Sequence, residues 1–467
     1  MFFRQYDLAC LSLYSYVIGD RDSGRAVVVD PQRDIEIYLA DAAAEGLRIE
    51  RVIETHFHAD FVSGHLEMAD ATGAVISYGP GAQADFAIEH LVDGQVLSLG
   101  TVELEILHTP GHTPESISIV VRERPGADPW AVLTGDALFI GDVGRPDLLT
   151  SIGYGADDLA RMLYSSLHDK LLTLPDATGV FPAHGAGSAC GKHMSTAASS
   201  TIGEQRATNY ALADIDVDTF VELITSGQSV APLYFAFAAD ENRRERERFE
   251  THEPLDEVTF GDAVALAERG AVIVDTRAPE SFASGHLRGS INIGLDGRFA
   301  EYAGNVIRAG QPVVLVGSPD RASEARLRLA RIGFDDVVGI IDDVESALIA
   351  EPGFAASAAR LTAHDVAQWS TDEPDVQIVD IRGPGEIDET GLVPGAVAVP
   401  LPRLLDTIEG LVDDAPRLDP KAPTIVYCAG GYRSSIAASA MRAHGFSRVA
   451  DLIGGYDAWE LATARSV

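Results

Sequence analysis

The segment VIVDTR at Val272–Arg277 returns as QIVDIR at Gln377–Arg382, GHLRGSINI returns as GLVPGAVAV, and PVVLVGSPDRAS returns as PTIVYCAGGYRS. A repeat sustained over three blocks requires two copies of one supersecondary unit, each about 105 residues long. Each copy reads strand, loop, strand, loop, helix, which is the grammar of a mostly parallel sheet covered by helices. The copies are expected at 255–350 and 360–467, behind a first domain at 1–250.

That first domain alternates short β-rich runs with turns of Gly, Asp and His: AVVVDP, VELEILHTPGH, WAVLTGDALFIGDVGRPD and GVFPAHG. Strands that end in loops carrying His and Asp describe a layered α/β domain with its site at the strand ends. A helical stretch is expected over about 192–250, closing in the charge run DENRRERERFE, read as a solvated helix end or linker. With 46% apolar and 23% charged residues the chain reads as soluble and globular, without an apolar run near the ~18 residues of a membrane span. Its start lacks a basic leader and a cleavage site, and three scattered cysteines suit a reducing compartment, so a cytoplasmic protein is expected. A formal charge of -36 speaks against nucleic acid and against an anionic membrane as partners.

The loop ETHFHADFVSGH (Glu54–His65) sets His56, His58 and Asp60 two residues apart, a spacing that aims side chains at one centre. Further along stand His112 in HTPGHTPES, Asp136 in LTGDALF and His184 in FPAHG. Imidazole and carboxylate are usual ligands for iron, zinc or manganese, and four such loops in one domain predict a metal site.

These loops resemble the metallo-β-lactamase superfamily, whose αββα sandwich the resemblance implies for residues 1 to about 250. The dinuclear hydrolases of that superfamily, such as glyoxalase II, bind a second metal with the histidine that follows the Asp; here that residue is Phe61. Phenylalanine has no lone pair, so a second ion is expected to be absent or weak. His56, His112 and Asp136 remain as two histidines and one carboxylate, the set of non-haem Fe(II) oxygenases. The resemblance narrows to the superfamily's persulfide dioxygenases, which implies one Fe(II) per chain on His56, His112 and Asp136, zinc being an alternative in isolated protein. It makes His58, Asp60 and His184 the residues that hold those ligands from behind. His65 and Arg145 either line a substrate entrance, Arg145 as an anion anchor, or are buried structural partners. Cys190, six residues past His184, is either a small buried hydrophobe or a thiol that holds a persulfide near the metal. His108 and His193 read as loop residues.

In YCAGGYRSS, Cys428 follows an apolar strand and precedes an Ala-rich helix, so backbone N–H groups and the positive helix end favour an anionic sulfur. Gly430 and Gly431 let the backbone wrap the sulfur, and Arg433 adds a cation for sulfite or thiosulfate. With VDIR, GLVPGA and GGYDAW, this loop resembles rhodanese domains. The resemblance implies a persulfide on Cys428, cradled by Ala429, Gly430, Gly431, Tyr432, Arg433 and Ser434. In the first copy Gly317 stands in the cysteine's place, so that copy is expected to be catalytically silent.

Together the resemblances imply a persulfide dioxygenase fused to two rhodanese-like domains. It would oxidise a low-molecular-weight thiol persulfide, of glutathione, coenzyme A or a similar thiol, with O₂ to sulfite, and make thiosulfate at Cys428; family members commonly self-associate. The competing readings are a zinc thioesterase with a sulfurtransferase tail, and a non-catalytic persulfide relay.

Overall fold

Every residue of LYSYVIGD (Leu13–Asp20) is buried, which requires that both faces of its sheet be covered. The computed structural model, which describes residues 1–148, 150, 153–251, 254–373 and 375–464, shows how. That strand lies in a mixed six-stranded sheet whose order follows the sequence: β1 (Phe2–Leu8), β2 (Leu13–Asp20), β3 (Arg25–Val29), β4 (Arg48–Ile53), β5 (Val75–Tyr78) and β6 (Glu89–His90). A second six-stranded sheet holds β7 (Val96–Ser98), β8 (Glu103–His108), β9 (Ile117–Arg122), β10 (Ala131–Gly135), β11 (Gly179–Pro182) and β12 (Ser200–Thr201), each beside the next.

Period-2 alternation sorts the side chains between layers. Tyr16 and Ile18 of β2 join Val27, Val29, Leu104, Ile106 and Ile119 between the two sheets. Val17 points the other way and packs with Val28 and Val52 against Tyr38 and Met68 of the helices Glu36–Ala44 and His65–Thr72. On the far side, Val120, Val132 and Val180 meet Leu163 and Leu167 of helix Ala156–Asp169 and Phe220 of helix Val217–Thr225. Each large apolar side chain buried this way contributes about 1.5–3 kcal/mol. The result is the expected αββα sandwich. Asp30 follows β3, His56–His65 follow β4, His112 follows β8, Asp136 follows β10 and His184 follows β11, so every metal-loop residue sits just past the C-terminal end of a strand.

The long helical stretch expected over 192–250 is instead three short α-helices, Ile202–Thr208, Val217–Thr225 and Phe235–Glu241, with a 3-10 turn at Tyr210–Leu212, after strand β12. Asn209 leaves helical geometry at the end of the first, the Asp216 side chain caps the second, and Gly227 turns the chain at φ +65°. These elements belong to one compact unit, Met1–Gln228 with Phe235–Glu250, and a second unit comprises Ser229–Tyr234 with Thr251–Val467.

The second unit carries the repeat as two parallel sheets. In the first copy Ile291–Asn292, Val272–Asp275, Val313–Val316 and Val337–Ile341 lie side by side; in the second the order is Ala359–Leu361, Val449–Leu452, Thr424–Tyr427, Gln377–Asp380, Val397–Ala398. Val272 pairs with Val313 as Gln377 pairs with Thr424, so the repeated sequences occupy matching registers. The shared VDxR signature does the same task in both: Arg277 clasps Asp275 and donates to Gly285 O, while Arg382 clasps Asp380 and donates to Gly391 O. The last three residues predicted for the second copy, 465–467, lie outside the described residues. No helix among the described residues is long and apolar enough to cross a membrane.

Candidate metal centre and cysteine loop

Three donors converge beyond the strand ends. One ligand atom from each of His56, His112 and Asp136 lies within 4.8 Å of the others, and all three residues are buried. The Nε2 atoms of His56 and His112 stand 3.8 and 3.5 Å from Asp136 Oδ2. Among the described residues, His56 Nε2 and Asp136 Oδ2 have no hydrogen-bond partner. Buried polar atoms left open and aimed at one point are the signature of a cation site, and these residue types fit Fe(II).

The surroundings fix each ligand. His112 Nδ1 donates to Arg145 O at 2.8 Å, leaving Nε2 bare for a metal. His56 Nδ1 lies 3.0 Å from the Thr55 hydroxyl, which donates to Asp30 Oδ2 at 2.8 Å, and the Thr55 amide donates to Asp30 Oδ1 at 2.7 Å. Burial and then His58 push the His56 imidazole well below its usual range, so it is neutral, as a ligand must be. Burial pushes the Asp136 carboxyl up, but His184 and His56 overcome it and hold the group well below the usual carboxylate range.

Asp60, His184 and Asp136 form a chain: Asp60 Oδ2 lies 2.7 Å from His184 Nε2, and His184 Nδ1 lies 2.7 Å from Asp136 Oδ1. Burial opposes charge on His184, but its two carboxylates raise it well above the usual imidazole range, so it is a cation that turns the other Asp136 oxygen to the centre. The His58 ring faces Asp30 instead, with Nε2 3.1 Å from Asp30 Oδ1 and 3.6 Å from Glu54 Oε2. Phe61 is fully buried with its ring 4.4 Å from that of His58. His58, Asp60 and His184 also offer ligand atoms within 4.8 Å of one another, on the side that Phe61 walls.

His65 and Arg145, weighed for a substrate entrance, both take the buried structural alternative. His65 is wholly buried between Glu54, 3.5 Å away, and the stacked ring of Phe86, so it lines no opening. The Arg145 guanidinium is 2% exposed and already bound to both carboxylate oxygens of Asp147, at 2.6 and 2.7 Å, so it is the structural partner rather than an anion anchor. Cys190 lies beside Asp136 and His184, and burial and then Asp60 and Asp136 push its thiol well above the usual range.

One residue that holds the metal loop has no signal in the sequence: Asn242, inside the charge run that reads as a linker. It is buried, and it donates to His58 O at 2.9 Å and Phe61 O at 2.7 Å while accepting from Ser63 N at 2.8 Å. Nearby, Arg246 binds Glu67 and Ser63 O. The run is therefore a clamp over the metal loop.

At the second site, strand Thr424–Tyr427 runs through Cys428 into helix Tyr432–Ala443. The Gly431 N–H points at Cys428 Sγ, 3.1 Å away. Tyr456 N and Asp457 N, from the GGYDAW segment, hold the Cys428 and Ala429 carbonyls at 2.7 and 3.2 Å. Gly455 packs so closely that a Cβ there would lie 2.2 Å from Ala429 O and 2.3 Å from Cys428 O. Ser434 Oγ closes the loop on Gly431 O at 3.0 Å, and Gly430 has open space around it. Arg433, expected to supply a free cation, is bound through both terminal nitrogens to Glu386 at 2.8 and 2.5 Å, so its charge is already balanced. The repeat carries a signal for that pair: Ser281 and Ala322 take the places of Glu386 and Arg433 in the silent copy, so both members are missing together. There, Arg321 donates to Thr276 O at 2.7 Å.

Residues 10–184 match the metallo-beta-lactamase superfamily, and residues 259–343 and 362–462 match the rhodanese-like domain. Over 235 residues the chain is 33% identical to the Homo sapiens protein named Persulfide dioxygenase ETHE1, mitochondrial, covering 50% of this chain and 83% of that one. A hydroxyacylglutathione hydrolase of Polaromonas sp. is 33% identical over 174 residues, 37% of this chain and 61% of its own. Among solved structures, a metallo-beta-lactamase from Staphylococcus aureus is 32% identical and aligns with a TM-score of 0.66 over 73% of this chain and 98% of that chain. The chain belongs to the metallo-beta-lactamase superfamily, among the relatives of persulfide dioxygenase, and carries two rhodanese-like domains behind that fold.

Proposed function

We propose that the first unit is a mononuclear iron dioxygenase for low-molecular-weight thiol persulfides, and that Cys428 passes sulfane sulfur to the sulfite so made. The observation that carries this reading is the three-donor face of His56, His112 and Asp136, with Phe61 where a second metal would need a histidine. The likeness to a persulfide dioxygenase supports it. The net reaction is RSSH + O₂ + H₂O → RSH + SO₃²⁻ + 2 H⁺. When bound by these three residues, Fe(II) supplies the one-electron chemistry that lets O₂ react with a closed-shell sulfur.

The chain's own residues prepare the ground. Arg145 O and the Thr55 hydroxyl orient the two imidazoles, and the Asp60–His184 pair keeps Asp136 ionised and aimed. Phe61 and Phe139, both fully buried, keep water from the His58 and His184 side of the centre.

At the second site, Cys428 thiolate attacks the outer sulfur of a persulfide, that S–S bond breaks, and the carrier thiol leaves with the electron pair. Sulfite then attacks the outer sulfur of the Cys428 persulfide; the pair of the broken bond returns to Sγ and thiosulfate departs. The Gly431 N–H supports the anionic sulfur in both steps.

The test is oxygen uptake by the Fe(II)-loaded chain on addition of glutathione persulfide. Rapid uptake abolished in Asp136→Ala supports the dioxygenase, and thiosulfate formation lost in Cys428→Ser supports the coupling. No uptake, with iron bound and persulfide intact, overturns the reading; thioester hydrolysis by the zinc-loaded chain would then identify the hydrolase instead.

A further inference from the structure

The chain does not pass from its first compact unit to its second only once. It leaves the first after Gln228, runs Ser229–Tyr234 inside the second, returns for Phe235–Glu250, and leaves again at Thr251. That short visit is anchored on the cysteine-free copy, at helix Phe299–Val306. The Leu233 amide donates to Asn305 Oδ1 at 3.1 Å, and Asn305 is 2% exposed. Tyr234 is equally buried, and its ring lies so close to Gly304 that a Cβ there would stand 2.3 Å from Cδ1 and 2.7 Å from Cγ. Gly304 sits inside a helix, where alanine is the better helix former, so the ring is what requires a glycine.

Directly after Tyr234 begins helix Phe235–Glu241, which buries Phe235, Ala238 and Ala239, and the Asn242 amide extends it by donating to Ala238 O at 3.0 Å. Asn242 is the side chain that holds the His58 and Phe61 carbonyls and the Ser63 amide. The path from Tyr234 to Asn242 is about 12 Å of helix at about 1.5 Å per residue. Coupling between distant groups is carried by packed side chains and rigid elements, and here the element is a single helix held at both ends. We propose that the cysteine-free copy anchors the clamp of the metal loop: Gly304 and Asn305 are positioning residues that fix Tyr234 and Leu233, and through helix Phe235–Glu241 they set the place of Asn242. The copy without a nucleophile thus serves the metal centre. This rests on the metal site and not on the reaction assigned to it. Because such coupling is reciprocal, metal on His56, His112 and Asp136 must in turn tighten the anchor.

The experiment uses the full chain with Fe(II) as the added ligand. Gly304→Ala drives the Tyr234 ring off its seat, so Fe(II) should pass to a chelator about three- to tenfold faster, the equivalent of one buried hydrogen bond, with a matching loss of hydrogen-exchange protection at the Ser63 amide. Tyr234→Ala should do the same and Tyr234→Phe should not. Adding Gly304→Ala to Tyr234→Ala should cost nothing further, since the ring it collides with is gone. A wild-type alkylation rate at the buried Cys428 in each variant shows that the second unit stays folded. Where a variant fails that check, the wild-type chain decides: its Leu233 amide should exchange more slowly with Fe(II) bound than without. Wild-type Fe(II) retention in a folded Gly304→Ala chain, or a Leu233 amide indifferent to the metal, overturns the anchor. A wild-type chain that binds no Fe(II) overturns the metal reading instead, and Ser63 protection in metal-free Gly304→Ala then decides the anchor by itself.

Discussion

Replacing Asn242 with alanine tests whether a side chain about 180 residues away along the chain governs the metal loop. The substitution strips partners from the His58 and Phe61 carbonyls and from the Ser63 amide, all in a buried segment. A buried group left without its partner costs about 1–3 kcal/mol, so three of them raise the energy of the closed loop by roughly 3–9 kcal/mol. At about 1.4 kcal/mol per factor of ten, the open loop becomes at least about a hundred times more populated. The expected result is a hundredfold or faster loss of Fe(II) to a chelator and a matching loss of hydrogen-exchange protection at the Ser63 amide. Asn242→Asp keeps the acceptor for Ser63 but sets an anionic oxygen against two carbonyls, and it should behave no better. Glu245→Gln, in the same charge run, touches only an exposed pair with Arg248 and should change neither readout. Metal loss from Asn242→Ala within threefold of wild type, with Ser63 still protected, would refute the clamp.

Three further outcomes follow from particular contacts. Burial pushes Glu67 up, but Arg246 and Arg33 hold it down at about 2 against 4.5, a difference on the order of 3 kcal/mol. A depressed carboxyl stabilises above its unfolded value and loses that stability as pH falls through the folded one, so wild type and Glu67→Gln should differ fully at pH 7 and converge between pH 4.5 and 2; a gap constant over that window would refute it. Phe61→His restores a ligand beside Asp60 and His184 and should move metal content from about one toward two ions per chain by elemental analysis, an unchanged content counting against the role given to Phe61. Gly455→Ala puts a methyl into the carbonyls of Cys428 and Ala429 at φ +58°, so sulfur transfer should fall at least about tenfold with oxygen uptake intact; a wild-type transfer rate would show that the loop can yield.

Motifs whose residues lie close together in the chain are legible in the sequence itself. The His56, His58 and Asp60 spacing, the VDxR pairs and the glycines around Cys428 act within a few residues of themselves, so their sequence carries their geometry. Partners brought together only by the fold are not legible in this way. Asn242 reaches His58 across 184 positions, and a polar residue inside a charged run carries no mark of burial. Arg433 reads as a free cation because Glu386, 47 positions away, has no local signature. His65 resembles an entrance residue from its place in the metal loop, while its burial depends on Phe86 and on the helix it begins. The helical stretch expected over 192–250 breaks up because composition favours helix where Asn209, Asp216 and Gly227 impose turns.

Gly317 bears on what this chain can become. It sits at φ +154°, and a side chain there would begin 2.5 Å from the Thr276 hydroxyl, which is itself tied to Val316 O at 2.9 Å. A mutation back to cysteine at that position alone would meet both a backbone geometry that L-residues avoid and an occupied volume. It would also find Ala322 and Ser281 where the working copy has Arg433 and Glu386. A second nucleophile at this position therefore needs more than one substitution. The two copies thus differ in backbone and packing at this position as well as in one side chain, which confines nucleophilic sulfur to one end of the repeat.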